Sequence, residues 1–573
     1  MRGGSNSMKK NYTVLIYLIV AIFSAQGLWA QKLEAENATL SGGAAKVACA
    51  ACSGSFAVEQ REGSLAFRVT LAQEGFYNIV VNAAAPGGEK TNIVSVNGVS
   101  ADFHLAQNSQ YQNFTIVNTL KLAAGEHTIE IKKSWGWINV DYIQLEKVNA
   151  ADRFNLNQTL VNPNATPEAT ALYNFLLDNY GDKIISGVMT LSSMDEVNWL
   201  KQNTGKEPAL VGLDFMHSGR AYSWYNDKEP IRDAKAWYDR NGIPTLMWHW
   251  RDPLRTTEEF YTKSSSKPDG TTFDISKISN TSSAEYGAML TDIDYIAGLL
   301  KELQDQNVPV IWRPLHEAAG GWFWWGAKGP EPLKALWLLM YDRLVNHHGL
   351  NNLIWVWTRE PGDDAWYPGD EYVDIVGRDI YKDGDHGSHA IEFNNMNALY
   401  GGKKMVTLSE VGSFPDVDNL IKDGAGWLWY MPWYGGYTRD VRYNSLDLWK
   451  KMFAHDYVIT LDEMPDLKTY ERQDLVNEPE NPEEPENPEE PGNPTGLQDD
   501  KRSFEAYPSL IDRQLFITSE ARINTISVYS MLGIQLREQT VHGNTAVVSF
   551  DGYRPGLYIV KVNEKETMKV VKR

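Results

Sequence analysis

Clustered positive charge is missing from this 573-residue sequence: 54 Lys and Arg stand against 74 Asp and Glu, for a formal net charge of −20, and no basic run exceeds short Lys pairs. A nucleic-acid partner needs clustered cations to displace counterions from phosphate, so no nucleic acid is expected among its partners. The balance suits a soluble protein acting on a neutral polymer. Cysteine is nearly absent too: Cys49 and Cys52, separated by two alanines, are the whole supply. No second CxxC completes a zinc site. The exported, strand-like surroundings favour a local disulfide over a redox motif, ahead of free or metal-binding thiols. Long apolar runs are also lacking. The run at 12–23 follows Met8-Lys9-Lys10 and is too short for a comfortable membrane span. With small residues ending at Leu28-Trp29-Ala30, it reads as a signal peptide over 1–30. No cysteine follows it, so a lipid anchor is not indicated. No Gly-rich phosphate loop opens a helix after a strand, so no nucleotide or redox cofactor is implied.

What the chain has in excess is aromatic surface, with 20 Trp and 28 Tyr. Flat side chains in that number suit a ligand with CH-rich faces and hydroxyl edges, such as a sugar ring, although large barrels also use Trp for packing. A chain this long should hold several domains. Residues 31–148 read as an all-β sandwich: short β-branched and aromatic runs at 64–71, 77–83, 93–96, 112–117 and 127–131 alternate with Gly and Asn turns. From 151 to 475 the pattern changes. Near-continuous apolar segments recur at 184–188, 209–215, 244–250, 308–317, 353–357, 373–381, 405–412 and 427–433. Such runs fit parallel strands buried on both faces. Amphipathic stretches such as 284–304 and 332–347 lie between them. Eight βα units predict a (β/α)8 barrel, with a doubly wound sheet as the alternative. The segment 476–495, containing EPENPEEPENPEEPGNP, can bury nothing and reads as an extended, self-repelling spacer. Residues 496–573 again read as β, a small C-terminal sandwich with its clearest strands at 524–529, 546–550 and 557–562.

Barrel active sites lie at the C-terminal tips of the strands. The fourth strand ends in His316-Glu317 and the seventh in Glu410-Val411-Gly412. A single strand-end carboxylate is commonly a salt-bridge partner. A pair on strands 4 and 7 faces one cleft, and two carboxylates flanking a glycosidic bond are the usual means of hydrolysing it, one held neutral and the other ionised. Arg313, four residues before Glu317, is placed to hold a carboxylate ionised. The loop Gly320-Gly321-Trp322-Phe323-Trp324-Trp325-Gly326 offers a stacking platform beside Glu317, with packing as the alternative role for Trp324 or Trp325.

The segment WRPLHEAAGGWFWWG, together with LSEVG on strand 7, resembles glycoside hydrolase family 26, most of whose members are β-mannanases in a clan of retaining (β/α)8 hydrolases. The resemblance covers about 155–475. It implies that Glu317 is the acid/base and Glu410 the nucleophile. It further implies that His249 and His316 hold the attacked sugar, that Tyr381 orients the nucleophile, that Trp433 floors the sugar ring, and that Trp322 lines the cleft beside the acid. Ala318 and Ala319 depart from the Asn or Thr that many members carry there, which puts a polar sugar contact in doubt. The expected substrate is a β-mannan-type polysaccharide, cut within the chain without a catalytic cofactor. A β-glucanase, a xylanase, an exo-acting mannobiohydrolase and a non-catalytic surface glycan-binding protein remain alternatives.

Leu33-Glu34-Ala35-Glu36-Asn37-Ala38 and the late run from Ser134 through Trp135, Trp137, Asn139 and Asp141 to Ile143 resemble carbohydrate-binding modules of family 35 or 6. That likeness implies a structural calcium on Glu34, Glu36 and Asp141, oxygen ligands that suit a hard cation. It also implies sugar stacking on Trp135 or Trp137, with one of the two in the core, and hydroxyl contacts from Asn139. The C-terminal unit, with Gly556-Leu557-Tyr558-Ile559-Val560-Lys561-Val562, resembles sorting signals of the Bacteroidetes type IX secretion route. Secretion machinery is therefore an expected partner, the cell surface or medium the expected location, and a monomer the expected state. Removal of the tail is left open.

Overall fold

The computed structural model describes residues 31–149 and 153–472, and in the last unit 504–507, 510–511, 514–530, 535–550, 556–563 and 566–572. Residues 1–30 and 476–495, read above as a signal peptide and a spacer, lie outside the described residues. Eight parallel strands close on themselves: β1 Ile184–Met189, β2 Leu210–Asp214, β3 Ile243–Met247, β4 Val310–Arg313, β5 Leu353–Arg359, β6 Ile375–Ile380, β7 Met405–Val411 and β8 Trp429–Pro432. They pair in ring order, and β1 bridges the ends, through Gly187 opposite Leu210 of β2 and Ile185 opposite Trp429 of β8. Nearly every strand residue is buried, because helices cover the outer face and side chains fill the interior. The doubly wound alternative is thereby set aside.

The helices are α1 Pro167–Asn179, α2 Asp195–Thr204, α3 Glu229–Tyr238, α4 Ala284–Gln304, α5 Pro330–Tyr341, α6 Ala390–Leu399, α7 Val417–Asp423, α8 Gly436–Arg439 and α9 Leu446–Phe453. The ends of α4 coincide with its amphipathic run; the Ser283 side chain caps it, accepting from the Tyr286 N–H at 3.1 Å. The β5–β6 connection differs from the expected repeat. It carries only two short 3-10 turns, Asp364–Trp366 and Asp370–Tyr372, in place of a helix. Strand β4 also stops earlier than its apolar run suggests, at Arg313, because Pro314 has no N–H to continue the ladder. Leu315 and Glu317 then take left-handed backbone, with φ of 53° and 51°.

The N-terminal domain is a jelly-roll sandwich of two antiparallel sheets. One joins Ala45–Ala48, Phe56–Glu59, Asn139–Val148, Gly75–Ala85 and Asn108–Leu122, with Gln31–Glu34 paired to Asn139–Val148. The other joins Thr39–Ser41, Ser64–Leu71, Gly125–Trp135, Lys90–Val96 and Val99–Leu105. Cys49 and Cys52 form the local disulfide. This domain docks on α6. Asn395 donates to the Ile116 carbonyl at 3.0 Å and accepts from the backbone and side chain of Asn118 at 2.8 and 3.0 Å. The C-terminal unit pairs Phe504–Tyr507, Leu510–Ile511, Gln514–Ser530, Gln535–Ser549, Gly556–Val562 and Glu566–Lys572 in one mostly antiparallel sheet, around Ile526, Val528 and Val560.

Asn395→Ala removes three hydrogen bonds that join the two domains and strands the groups they satisfied. The substitution is expected to cost about 1–3 kcal/mol, read as a lower urea midpoint than wild type. An unchanged midpoint would mean that these bonds contribute nothing to docking.

Candidate active site

Alternation along the strands aims a small set of charged side chains into the barrel mouth. Arg313 from β4, Asp379 from β6 and Glu410 from β7 are all buried in an otherwise apolar interior. The Arg313 guanidinium joins them. It donates to Asp379 Oδ2 at 3.1 Å, to Thr358 Oγ1 of β5 at 3.0 Å, and to Glu410 Oε1. Asp379 Oδ1 accepts from Ser409 Oγ at 2.6 Å, and Glu410 Oε2 accepts from the Tyr381 hydroxyl at 2.7 Å. Glu317 approaches from the turn after β4, where Trp322 Nε1 donates to its Oε2 at 3.1 Å. One carboxylate oxygen from each of Glu317, Asp379 and Glu410 lies within 4.8 Å of the other two. Such a trio resembles a cation site, but here a fixed cation, Arg313, is already bonded to two of the three.

Burial pushes the Glu317 carboxyl well above the ordinary range, and the charges of Asp379, Glu410 and Glu360 add to it, while Arg313 opposes. Burial raises Glu410 too, to about 7: the Asp379 charge adds to the rise, while Arg313, His249 and the Tyr381 hydrogen bond oppose it. The two carboxyls titrate as a pair, and the first proton belongs on Glu317. The arrangement therefore holds one neutral and one ionised carboxyl side by side, as the chemistry of a general acid and a nucleophile requires.

Across the mouth, Asp214 at the end of β2 grips His249, accepting from its Nδ1 at 2.6 Å and its backbone N–H at 3.0 Å. Burial alone would raise Asp214, but the charge and hydrogen bonds of His249 outweigh it and bring the carboxyl below its usual value. His249 Nε2 faces His316 Nε2 at 3.2 Å. Burial, then His249 and Arg313, lowers the His316 pKa far below that of free imidazole, so this ring stays neutral. Trp433, Phe260 and Phe323 surround His249 with ring centroids at 5.6, 5.0 and 5.6 Å.

Every candidate read from the barrel sequence thus gathers at one mouth: Glu317, Glu410, His249, His316, Arg313, Tyr381, Trp322 and Trp433. The tryptophan loop is a correction. Only Trp322 is open to solvent, at 42% exposure, whereas Trp324 and Trp325 are wholly buried. Their indole N–H groups donate to the carbonyls of Trp250 and His316, at 2.6 and 2.9 Å, so they support the loop from beneath. Gly320 is needed because a Cβ there would lie 2.1 Å from the Trp322 ring. Sequence reasoning missed Asp379, Asp214, Thr358, Phe260 and Phe323. The two aspartates left a signal: each is a lone carboxylate near the end of an apolar strand, in LVGLD and IVGRDI.

In the N-terminal domain both tryptophans are open, Trp135 at 62% and Trp137 at 39% exposure, so neither is the core residue expected of the pair. Gly136, between them, takes left-handed backbone with φ of 80°. Nearby, Glu34 Oε2, Glu36 Oε2, Asp141 Oδ1 and Asn139 Oδ1 are buried without a hydrogen-bond partner. Asp141 Oδ2 accepts from the Ser53 N–H at 3.1 Å, and burial raises its pKa.

Comparison with known proteins agrees with this architecture. Residues 161–463 match Glycosyl hydrolase family 26, residues 31–148 match Carbohydrate binding module (family 35), and residues 505–573 match a Secretion system C-terminal sorting domain, which points to export. A mannan endo-1,4-β-mannosidase of Thermothelomyces thermophilus is 40% identical over 439 residues, 75% of this chain and 90% of that protein. The crystal structure of a Podospora anserina GH26-CBM35 β-(1,4)-mannanase is 36% identical and covers 77% of this chain and 99% of its own, with a TM-score of 0.53. A β-mannanase from a symbiotic protist of the termite Reticulitermes speratus, complexed with gluco-manno-oligosaccharide, is 43% identical over 55% of this chain and 99% of its own, with a TM-score of 0.52.

Tyr381→Phe removes one hydrogen bond to an ionised carboxylate, a loss of about 1.5–3 kcal/mol. Turnover is expected to fall about ten- to a hundred-fold. With that bond gone Glu410 binds its proton more readily, so the acidic limb of the pH profile moves to higher pH. An acidic limb that stays in place would separate Tyr381 from the ionisation of Glu410.

Proposed function

Because the chain belongs to glycosyl hydrolase family 26, we propose that it is a secreted, retaining endo-β-1,4-mannanase acting on mannan, glucomannan or galactomannan. The observation that carries this reading is the spacing of the carboxyl pair: Glu317 and Glu410 have oxygens within 4.8 Å of each other. Retention uses carboxyls about 5–5.5 Å apart, whereas inversion leaves about 6.5–9.5 Å for a water. Glu410 attacks the anomeric carbon while the Glu317 proton passes to the glycosidic oxygen, and the leaving chain departs. Glu317, now ionised, takes a proton from water, which attacks the glycosyl–Glu410 ester and frees both the sugar and the carboxylate. Arg313 and Tyr381 keep Glu410 ionised and aimed. His249, His316 and Trp433 hold the attacked sugar, and Trp322 stacks beside the acid. The chemistry draws only on these side chains and a water.

The names of curated relatives aligned over most of their length support mannan as the substrate. Endo action has support from an aromatic stack on the β2 side of the mouth, beyond His249. There Trp224, 67% exposed, stacks on Tyr222 with centroids 5.2 Å apart, a face for further sugars of a long chain. Glu410→Ala should abolish turnover, and Glu317→Ala should lower it about 10²–10⁴-fold, with mixed oligosaccharides released from glucomannan by wild type. Mannobiose as the sole product would make the enzyme exo-acting; activity on xylan or β-glucan but not on mannan would reject the substrate; an inverted anomer by NMR would reject retention.

The same proposal covers the flanking parts: a signal peptide at 1–30, a sugar-binding module at 31–148, the hydrolase at 151–475, a spacer at 476–495 and a sorting unit at 496–573, in a monomer exported by the type IX route. In the module, Trp135 and Trp137 stack on sugar and Asn139 bonds its hydroxyls. The unpartnered oxygens of Glu34, Glu36, Asp141 and Asn139 fit a calcium ion. Among the described residues, the catalytic trio is the one acidic group gathered within 4.8 Å, so the module carboxylates would draw inward around the cation. Calcium binding to the folded state alone raises stability. Added calcium should therefore raise the melting temperature of the chelator-treated protein, and Asp141→Ala should erase the gain. A melting temperature indifferent to calcium would remove the cation from the module.

A further inference from the structure

Beside the barrel mouth lies a pocket of about 430 Å³ that neither candidate catalytic carboxyl lines. The barrel walls it with Arg378, Lys382, His389 and Glu392, and the N-terminal domain closes the other side with residues 98–102. Its volume and its position between two domains are those of small-molecule sites. Two of its lining residues hold buried polar atoms without a hydrogen-bond partner: Nε2 of His389, a residue only 3% exposed, and Oε2 of Glu392. Buried polar atoms rarely stay unpaired unless a ligand or water completes them. His389 also holds a left-handed backbone, with φ of 51°, at the start of α6, the kind of strain that collects at ligand clamps. From the other side, Val99–Leu105 is an edge strand, paired only with Lys90–Val96, so alternate N–H and C=O groups remain free.

The ring order says which end of the cleft this is. Strands β4 and β7, which present Glu317 and Glu410, divide the barrel into β5–β6 on one side and β8–β1–β2–β3 on the other. His249 and Trp433, assigned above to the attacked sugar, follow β3 and β8, so the leaving group runs out over β5 and β6. Arg378 lies on β6 beside Asp379, Lys382 follows Tyr381, and Glu360 follows β5. The cations are already matched: Arg378 bonds Glu360 at 2.7 Å and Lys382 bonds Glu392 at 3.3 Å. A wall with hydrogen-bonding capacity but no spare positive charge suits an uncharged, hydroxyl-rich ligand.

We propose that this pocket is a leaving-group subsite shared by the barrel and the N-terminal domain, and that it binds a hexose residue of the polysaccharide. The proposal rests on the hydrolase reading above. It makes the N-terminal domain a part of substrate selection at the cleft. The missing β5–β6 helix is what leaves this flank open to it.

The test compares full-length wild type with Asp102→Ala and Lys382→Ala, both at exposed positions. Substrates are mannohexaose, galactomannan and an aryl β-mannobioside, which carries no sugar on the leaving-group side. Each variant is expected to lose kcat/KM on mannohexaose or galactomannan at least five-fold more than on the aryl glycoside, chiefly through KM. Loss on both polymeric substrates identifies a backbone mannosyl residue; loss on galactomannan alone identifies its galactosyl branch. Equal losses on all three substrates, or none, overturn the subsite. Wild type inactive on all three would instead refute the mannanase reading, and the named sugar with it.

Discussion

A single buried cation organises the barrel mouth. Arg313 lies inside the ring with almost no exposure, and a guanidinium there is tolerable only because its donors are taken. Its partners come from three other strands: Thr358 of β5, Asp379 of β6 and Glu410 of β7. The planar fork has the donors to reach all three at once, which a lysine ammonium could not match in geometry. Removing it would leave two carboxylates facing each other in a low-dielectric interior, and proton uptake would then silence Glu410, the proposed nucleophile. Register across half of the ring and the charge state of the site are thus tied to one side chain.

That dependence explains what could be read from the sequence and what could not. The strands announced themselves because a barrel buries both faces of each one, leaving uninterrupted apolar runs, and Glu317 and Glu410 stood out as carboxylates at the ends of two such runs. Asp379 was hidden in plain view. Its role depends on inward alternation along β6 and on its distance from Arg313, 66 residues earlier, and neither is a local signal. The tryptophan loop was half legible. Nothing in WFWWG distinguishes the exposed Trp322 from the buried pair, because that choice is made by the carbonyls of Trp250 and His316, which accept from Trp324 and Trp325. In the N-terminal domain the expectation of one core tryptophan failed: residues two apart share a face of a strand, and Trp135 and Trp137 are both open to solvent on either side of Gly136.

The β5–β6 connection ties the fold to the wider architecture. A barrel strand pair without its covering helix exposes a flank that must be covered by something else. The N-terminal sandwich docks on the neighbouring α6, with Asn118 donating two hydrogen bonds to Asn395 Oδ1 at the seam. Arg153, at the start of the described barrel segment, reinforces that seam. Its guanidinium donates to the Gly424 carbonyl at 2.8 Å and lies 5.3 Å from the Phe76 ring and 5.6 Å from the Phe393 ring. A module tethered by a loose linker would add only local concentration at the polymer. One held by a buried polar seam keeps a fixed relation to the cleft.

Charge accounting gives the site its chemical direction. In the proposed mechanism Glu317 enters protonated, so the mouth holds Arg313 as one positive charge against Asp379 and Glu410 as two negative ones. On the opposite wall His316 is neutral, and Asp214 is hydrogen-bonded to His249. The group around Glu410 therefore presents one net negative charge to the sugar. Glycosidic cleavage builds positive charge on the ring as the bond breaks, and preorganised charge of opposite sign stabilises that transition state without reorganisation at the moment of reaction. A second ionised carboxyl in place of the neutral Glu317 would increase the field but forfeit the proton for the leaving oxygen. Without Asp379, the positive Arg313 would balance Glu410 and leave no net charge. Asp379 is thus the residue that keeps the site negative while Arg313 is bonded to Glu410, although its own charge raises the Glu410 pKa.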